Sequence, residues 1–341
     1  MPDAGCLVVG PNGHGKTSLI EALLYCEVFR SFRGAADREL ARFGSDGFHV
    51  ETTVAGPPGR TVAAGYDART RAKRVTLDGA EPERLAAAIG VVRGVVLSPG
   101  DVALVAGSPR GRRQYLDVLL ALTARGYVEA LGRYRRALRH RIRATPGEMP
   151  VWERLLAEFG AEIARTRLAW AERWAGRYRA YCAAVGEAGE CAMACVSRTE
   201  PTVEALGAAL ERSRTRDLAL GRTSVGPHRD ELRLLLDGRE LRAYGSAGQQ
   251  RTAALALRLL EAASLREATG DPATICLDDA FAELDAERSR NLGALIGTLA
   301  GEGSQVVAAV PKESDVPAQI GALPVWRVRD GAVQGDANSV R

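Results

Sequence analysis

An α/β fold is predicted by three stretches of the chain, each a short apolar run. Leu7-Val8-Val9 leads into Gly10-Pro-Asn-Gly-His-Gly15-Lys16-Thr17 and then the helical pattern Ser18-Leu-Ile-Glu-Ala-Leu-Leu24. Thr274-Ile-Cys-Leu277 ends in Asp278-Asp279 and is bounded upstream by Asp271-Pro272. Val306-Val-Ala-Ala-Val310 is a last aliphatic run. Apolar runs of this length between turn residues read as buried strands, and strands separated by helical periodicity read as α/β layers.

The first turn carries chemistry as well as geometry. Gly10, Gly13 and Gly15 let consecutive backbone N–H groups turn inward on phosphates. Lys16 reaches the β- and γ-phosphates, the Thr17 hydroxyl ligates Mg²⁺, and the N-terminus of the next helix faces the negative charge. Gly10, Pro11, Asn12, Gly13, His14, Gly15, Lys16, Thr17 and Ser18 are therefore the candidate cradle for ATP or GTP. Only three lysines, Lys16, Lys73 and Lys312, stand against 43 arginines, and one of them occupies the position that the motif demands. His14 fills a variable loop position and is read as incidental. At the second run, a buried strand delivers two carboxylates to a site. Asp278 holds Mg²⁺ directly or through water, and Asp279, the catalytic partner of Lys16, orients or deprotonates the attacking water.

Three stretches organise the chain. Residues 1–100 combine the loop and its helix with alternating segments, Phe48-His-Val-Glu-Thr-Thr-Val54 and Val75-Thr-Leu77, and turn signals at Pro57-Pro-Gly59 and Asp78-Gly79. Val91-Val-Arg-Gly-Val-Val-Leu97 is a further buried strand. Residues 101–215 turn helical, over Gln114–Leu122, Tyr127–Arg143 and Val151–Val185, with turns at Thr145-Pro-Gly147 and Glu187-Ala-Gly189. Trp152, Leu155, Phe159, Ile163, Trp170, Trp174, Tyr178 and Tyr181 fall on or near one face of the last segment, as core rather than a base-stacking platform. This is an inserted helical lid. Residues 216–341 return to the core, with a hairpin signal at Leu232-Arg-Leu-Leu-Leu-Asp-Gly238.

Inside the lid, residues 131–143 hold Arg133, Arg135, Arg136, Arg139, Arg141 and Arg143, no acid, and an interleaved Tyr134. Arginine forks suit phosphate, so Arg133, Arg136, Arg139 and Arg143 are the DNA-contact candidates, with a solvated helix face as the alternative. Arg110, Arg112 and Arg113 either cap a helix or touch the nucleotide loop. The net charge of +4 permits a nucleic-acid partner without demanding one. No 18-residue uncharged apolar run and no signal pattern are present, and the six cysteines lack paired C-x-x-C spacing. A soluble, cytoplasmic protein with reduced thiols is expected.

Tyr244-Gly-Ser246-Ala-Gly248-Gln249-Gln-Arg251 opens a helical pattern that stops near Gly270-Asp-Pro272. Alone, this is either an ordinary N-cap or a second anion site. Its order, Ser-x-Gly-Gln, helix, strand ending in acids, then Glu283-Leu-Asp285, is similar to that of ABC-type ATPases, in which the signature serine of one subunit completes the ATP site of the other. The resemblance implies that Ser246, Gly248, Gln249 and Asp285 meet the nucleotide in a sandwiched dimer.

Taken together, the blocks resemble the RecF family, bacterial recombination-repair ATPases related to the SMC and ABC groups. They are the phosphate loop with Leu19-Ile-Glu-Ala22, Ser31-Phe-Arg33, Leu97-Ser-Pro-Gly-Asp101, Gly107-Ser-Pro-Arg-Gly-Arg-Arg113 with Leu116-Asp117, Gly226-Pro-His-Arg-Asp230, the Ser246 segment, and Leu277-Asp-Asp-Ala-Phe-Ala-Glu-Leu-Asp285. The resemblance implies an ABC/SMC-type P-loop ATPase head, residues 1–100 and 216–341, with a helical lid domain at 101–215. It implies a weak ATPase that closes as an ATP-bound homodimer around double-stranded DNA, recognises gapped or junction DNA, works with RecR and RecO, and assists RecA loading. The rivals are an SMC-like or other ABC-type ATPase, and a non-hydrolysing DNA-binding adaptor.

The chain departs from the family at two places. Family members carry strands before the phosphate loop, including an arginine-bearing segment near the adenine, whereas nine residues stand there here, so a native chain extending upstream is expected. The family's Pro-Glu-Asp reads Pro99-Gly100-Asp101. The histidines are His14, His49, His140 and His228, so none follows Val310 as the transporter switch histidine does.

Overall fold

The computed structural model describes residues 1–56, 59–145 and 147–335. Pro57, Pro58 and Pro146, at two of the expected turns, lie outside the described residues. In chain order the elements are β1 (Gly5–Val9), α1 (Lys16–Val28), α2 (Asp37–Leu40), β2 (Gly47–Val54), β3 (Arg60–Asp67), β4 (Ala72–Leu77) and β5 (Gly94–Leu97). Helices α3 (Val102–Ala106), α4 (Pro109–Thr123), α5 (Tyr127–Arg141) and α6 (Met149–Val185) follow. Next come β6 (Cys191–Val196), α7 (Val203–Leu220), β7 (Glu231–Leu236), β8 (Arg239–Glu240), α8 (Leu241–Tyr244) and α9 (Ala247–Thr269). The last are β9 (Thr274–Asp278), α10 (Ala286–Gly301), β10 (Val306–Val310), β11 (Val325–Arg329) and β12 (Ala332–Gly335).

Two compact units divide the chain: residues 1–100, 184–186 and 261 onward, and residues 101–183 with 187–260. The sequence division at 215 and this one differ over residues 216–260. Those residues group with the helices because β7 pairs antiparallel with β6, Cys191 facing Leu236 and Val196 facing Glu231. Likewise the Tyr115 hydroxyl of α4 donates to the Leu257 carbonyl of α9.

The first unit is built on a six-stranded sheet in the order β12-β11-β1-β10-β9-β5, parallel except for the β11–β12 hairpin. Its central strands are aliphatic without alternation because both faces are covered. Cys6, Val8, Cys276, Val307 and Ala309 are buried against Ile20 and Leu24 of α1. Another side of α1 presents Tyr25, Cys26 and Phe29 to the antiparallel sheet β2-β3-β4, where Val62 and Ala64 receive them. Helix α1 is therefore apolar nearly all round, as a helix between two layers must be. The registers Val9↔Val310 and Ala309↔Asp278 bring the end of β1 and the end of β9 to the same edge, either side of β10. That edge, beyond the C-terminal ends of parallel strands, is where open α/β sheets bind ligands.

The second unit is helical, with the short sheet β6-β7-β8. The expected hairpin forms, and Asp237 and Gly238 both take positive φ (48° and 75°), as a two-residue turn between right-twisted strands requires. Phe159, Trp170, Trp174 and Tyr178 of α6 are buried as core, whereas Trp152 is only half-buried. Arg112, Arg141 and Arg167 are buried as well. Arg141 donates to Glu153, Asp217, Thr223 and the Leu210 carbonyl. Arg167 donates to Asp117, Asp230, the Tyr127 hydroxyl and the Pro227 carbonyl. A buried charge persists only when paired and hydrogen-bonded in this way.

Gly226-Pro-His-Arg-Asp230 is part of that scaffold. Gly226 has φ 121°, and a Cβ there would lie 2.3 Å from the Tyr134 hydroxyl, so only glycine lets the Tyr134–His228 hydrogen bond (2.6 Å) close. Within the arginine cluster at 110–113, Arg113 donates to the Asp230 carbonyl, whereas Arg112 donates to the carbonyls of Leu104, Val105 and Gly107 at the end of α3 and pairs with Glu231. Arg112 caps a helix.

Candidate nucleotide-binding site

Gly10 to Gly15 form the turn between β1 and α1, and Gly15 is the helix N-cap with φ 100°. Left-handed backbone at that point turns the following amides outward toward a ligand, and it places helix position N1 at Lys16. A Cβ on Gly15 would also lie 3.4 Å from Gly331 in the β11–β12 turn. Lys16 is 8% exposed, and its Nζ donates to the carbonyls of Gly10 (2.7 Å) and Pro11 (3.0 Å) and to Asn12 Oδ1 (3.4 Å). Three neutral acceptors thus hold the cation inside the loop.

The Thr17 hydroxyl donates to Asp278 Oδ1 at 2.8 Å, across 261 residues of sequence. Burial pushes the Asp278 carboxyl above its usual range and Asp279 adds to this, while the Thr17 hydrogen bond, Arg33 and Lys16 oppose it. Asp279 takes φ 54°, a left-handed conformation that aspartate tolerates better than most residues, and its amide donates to the Ala309 carbonyl. Its carboxylate makes no hydrogen bond or ion pair among the described residues.

Lys16, Thr17, Asp278 and Asp279 are thereby brought to one edge. His14 is more engaged than the sequence suggested. Its Nδ1 accepts from the Asp330 amide (3.1 Å) and lies 3.2 Å from the Asp330 carboxylate, and its carbonyl accepts from Gly331. The β11–β12 turn therefore braces the outer side of the loop.

Sequence reasoning assigned no role to Glu21. This buried carboxylate accepts from Ser31 Oγ and lies 3.7 Å from Arg33 Nη1. These side chains edge a cavity of about 710 Å³ lined by Ser18, Glu21, Tyr25, Arg33, Phe48 and Val50 among others. Lys73 steadies its rim, pairing with Asp37 (2.8 Å) and donating to the Phe29 carbonyl. The cavity forms where α1, the segment 33–35, α2 and β2 come together; the blocks Leu19–Ala22 and Ser31–Arg33 were the available signal.

Ser246, Gly248 and Gln249 lie in the second unit. Ser246 Oγ accepts from the Gln249 amide (3.3 Å), and Gln249 Oε1 accepts from the Ser246 amide (2.9 Å). This reciprocal pair is a capping box, so the N-cap alternative holds in the single chain, at an exposed helix start. Asp285 caps α10 by accepting from the Arg288 amide, and that bond first, with the Arg288 guanidinium, holds its carboxyl below the usual range. Of the arginine stretch, Arg133, Arg136, Arg139 and Arg143 are exposed, whereas Arg141 and Tyr134 are buried and unavailable to a ligand. Among the described residues no helix is long and apolar enough to cross a membrane.

No protein-family model matches the chain. It is 32% identical to the DNA replication and repair protein RecF of Thermomicrobium roseum, over 98% of this chain and 94% of that one. A solved structure described as the recombination mediator protein RecF with ATP in the RecFOR pathway matches with TM-score 0.89 and 27% identity, over 99% of this chain and 92% of that chain. An Smc head bound to the C-terminal winged-helix domain of ScpA, 14% identical with TM-score 0.53, shares the fold alone. The fold is that of ABC/SMC-type ATPase heads, and the chain belongs to the RecF family of DNA replication and repair proteins.

Proposed function

We propose that the chain is an ATP-dependent DNA-binding repair protein, with a weak ATPase activity that acts as a switch. The 2.8 Å hydrogen bond from Thr17 to Asp278 supports this most directly, because it joins the two oxygen donors that Mg²⁺ needs beside the phosphate loop. Hydroxyl and carboxylate suit Mg²⁺ over softer metals, and a cation there relieves the burial that raises the Asp278 carboxyl. The bound nucleotide supplies concentrated negative charge; Lys16 exchanges its carbonyl partners for phosphate oxygens, and Asp279 holds the attacking water. Ser18 and the cavity beside Glu21 and Arg33 accept the nucleoside end.

Binding stabilises a homodimer in which Ser246, Gly248, Gln249 and Asp285 of each subunit face the other's nucleotide. Residues 101–215 act as the lid of the ATPase head, and Arg133, Arg136, Arg139 and Arg143 contact double-stranded or gapped DNA. The RecFOR pathway named for a solved relative supports cooperation with RecR and RecO; assistance to RecA loading, in the cytoplasm, is proposed with it from the family resemblance. Light scattering with Mg²⁺, with and without ATP, and with DNA titrated in, tests this. An ATP-dependent doubling of mass that tightens DNA binding is expected; a mass indifferent to ATP contradicts it.

A further inference from the structure

The end of α5 and the start of α6 carry an aromatic pair that the core does not use. His140, exposed, lies flat against Trp152, ring centroids 4.6 Å apart and planes 11° apart. Beside them Ile142 and Val151 are 36% and 52% exposed. An apolar patch held in water marks an interaction site when its rim is polar, and here the rim is basic. Arg136 stands one helical turn before His140 on α5 and Arg139 directly precedes it, Arg143 lies just past the helix end with its amide donating to the His140 carbonyl, and Arg154 follows on α6.

None of these four arginines forms an ion pair among the described residues, unlike Arg135 and Arg141 of the same helix, which pair with Asp117 and with Glu153 and Asp217. Two nearby acids are occupied: Glu148 accepts from the Thr145 amide and hydroxyl, and Glu153 is buried between Arg141 and Arg214.

We infer that this tip is a nucleic-acid site that reads an unpaired base: the arginines hold phosphates while the base stacks on the open face of His140, extending the stack begun by Trp152. Two complementarities select the occupant. Unpaired arginines one helical turn apart match a repeating anion, and a flat imidazole over an indole matches the π-face that every base offers. An acidic peptide satisfies only the first. The proposal rests on the DNA-binding reading above and adds to it the part of the DNA that is bound.

The full chain with ATP and Mg²⁺ is titrated with two DNAs at one salt concentration. One is a closed duplex minicircle with no unpaired base; the other is a duplex with a single-stranded tail carrying 2-aminopurine as its first unpaired base. His140→Ala is expected to weaken binding of the tailed duplex by about 5- to 100-fold, the range for one stacked base, and to abolish 2-aminopurine quenching. Its affinity for the minicircle should stay within about twofold of the parent's, since phosphate contacts alone serve there. Arg139→Ala with Arg143→Ala should weaken both DNAs.

His140 is exposed, so its variant should fold, and an unchanged melting curve checks this. Equal loss on both DNAs overturns the base-stacking assignment. Parent-like binding of both by His140→Ala also overturns it, and leaves the patch to a protein partner. A parent chain that binds neither DNA removes the DNA reading itself.

Discussion

Among the described residues Lys16 pairs with no carboxylate: Gly10, Pro11 and Asn12 hold it with neutral oxygens. Lys16→Ala should therefore fold normally yet lose ATP affinity by roughly 30- to 100-fold or more, as expected for hydrogen bonds to charged groups, read by equilibrium dialysis. Asp278 behaves in the opposite way. Burial and Asp279 raise its carboxyl above the ordinary 3.8. A raised folded-state value means that its contribution to the nucleotide-free chain is favourable at low pH and is lost as pH climbs through the shifted value. Asp278→Asn should remove that loss, lifting Tm near pH 7 by about 1–3 °C, while abolishing the Mg²⁺ dependence of ATP binding. Calorimetry between pH 4 and 7 reads the first effect. Asp279→Asn should keep ATP binding and slow turnover by roughly 100-fold or more, because its charge acts on water. Unchanged steady-state hydrolysis would take Asp279 out of the reaction.

Elements with a local signature were legible in the sequence. The apolar runs of β1, β9 and β10 and the periodicities of α5 and α6 appear at their expected places, since burial on both sheet faces and 3.6-residue periodicity leave direct traces. Elements fixed by distant partners were not legible. An arginine row on paper gives no sign that Arg141 turns inward, because its partners Glu153 and Asp217 come from other helices. The hairpin β11–β12 carries an Asp-Gly turn at Asp330-Gly331, but a local turn signal does not tell which distant loop the turn reaches, so its grip on His14 through Asp330 was not legible, and His14 read as incidental. Asp217 shows what such burial demands. Burial raises its carboxyl, but hydrogen bonds from Ser224, Arg141 and Ser213 outweigh this and leave it below its ordinary 3.8. A depressed folded-state value contributes stability above the unfolded value that is lost as pH falls through the folded one. Arg141→Ala leaves Asp217 without its guanidinium partner and Glu153 with Arg214 alone, and should cost about 3–5 kcal/mol, measured by urea denaturation at pH 7, with a smaller deficit below pH 4. A deficit that does not change with pH would mean that packing, not charge, sets the cost.

At the scale of the whole molecule, Ser246 caps α9 in the single chain and, in the dimer proposed, faces the partner's phosphate loop. The capping box explains why the residue stabilises its helix; it leaves the exposed helix N-terminus free to meet an anion. Ser246→Arg should block closure by size and charge while each chain still binds ATP. Mixed with Lys16→Ala, it yields a heterodimer with one doubly defective site and one intact site, which should recover part of the hydrolysis. The decisive measurement is light scattering of the parent and of Ser246→Arg, each with Mg²⁺ and saturating ATP. A parent that doubles in mass only with ATP, beside a Ser246→Arg chain that binds ATP and stays monomeric, is the predicted result. A parent that remains monomeric with ATP bound, or a Ser246→Arg chain that dimerises as well as the parent, would contradict the nucleotide-sandwiched dimer.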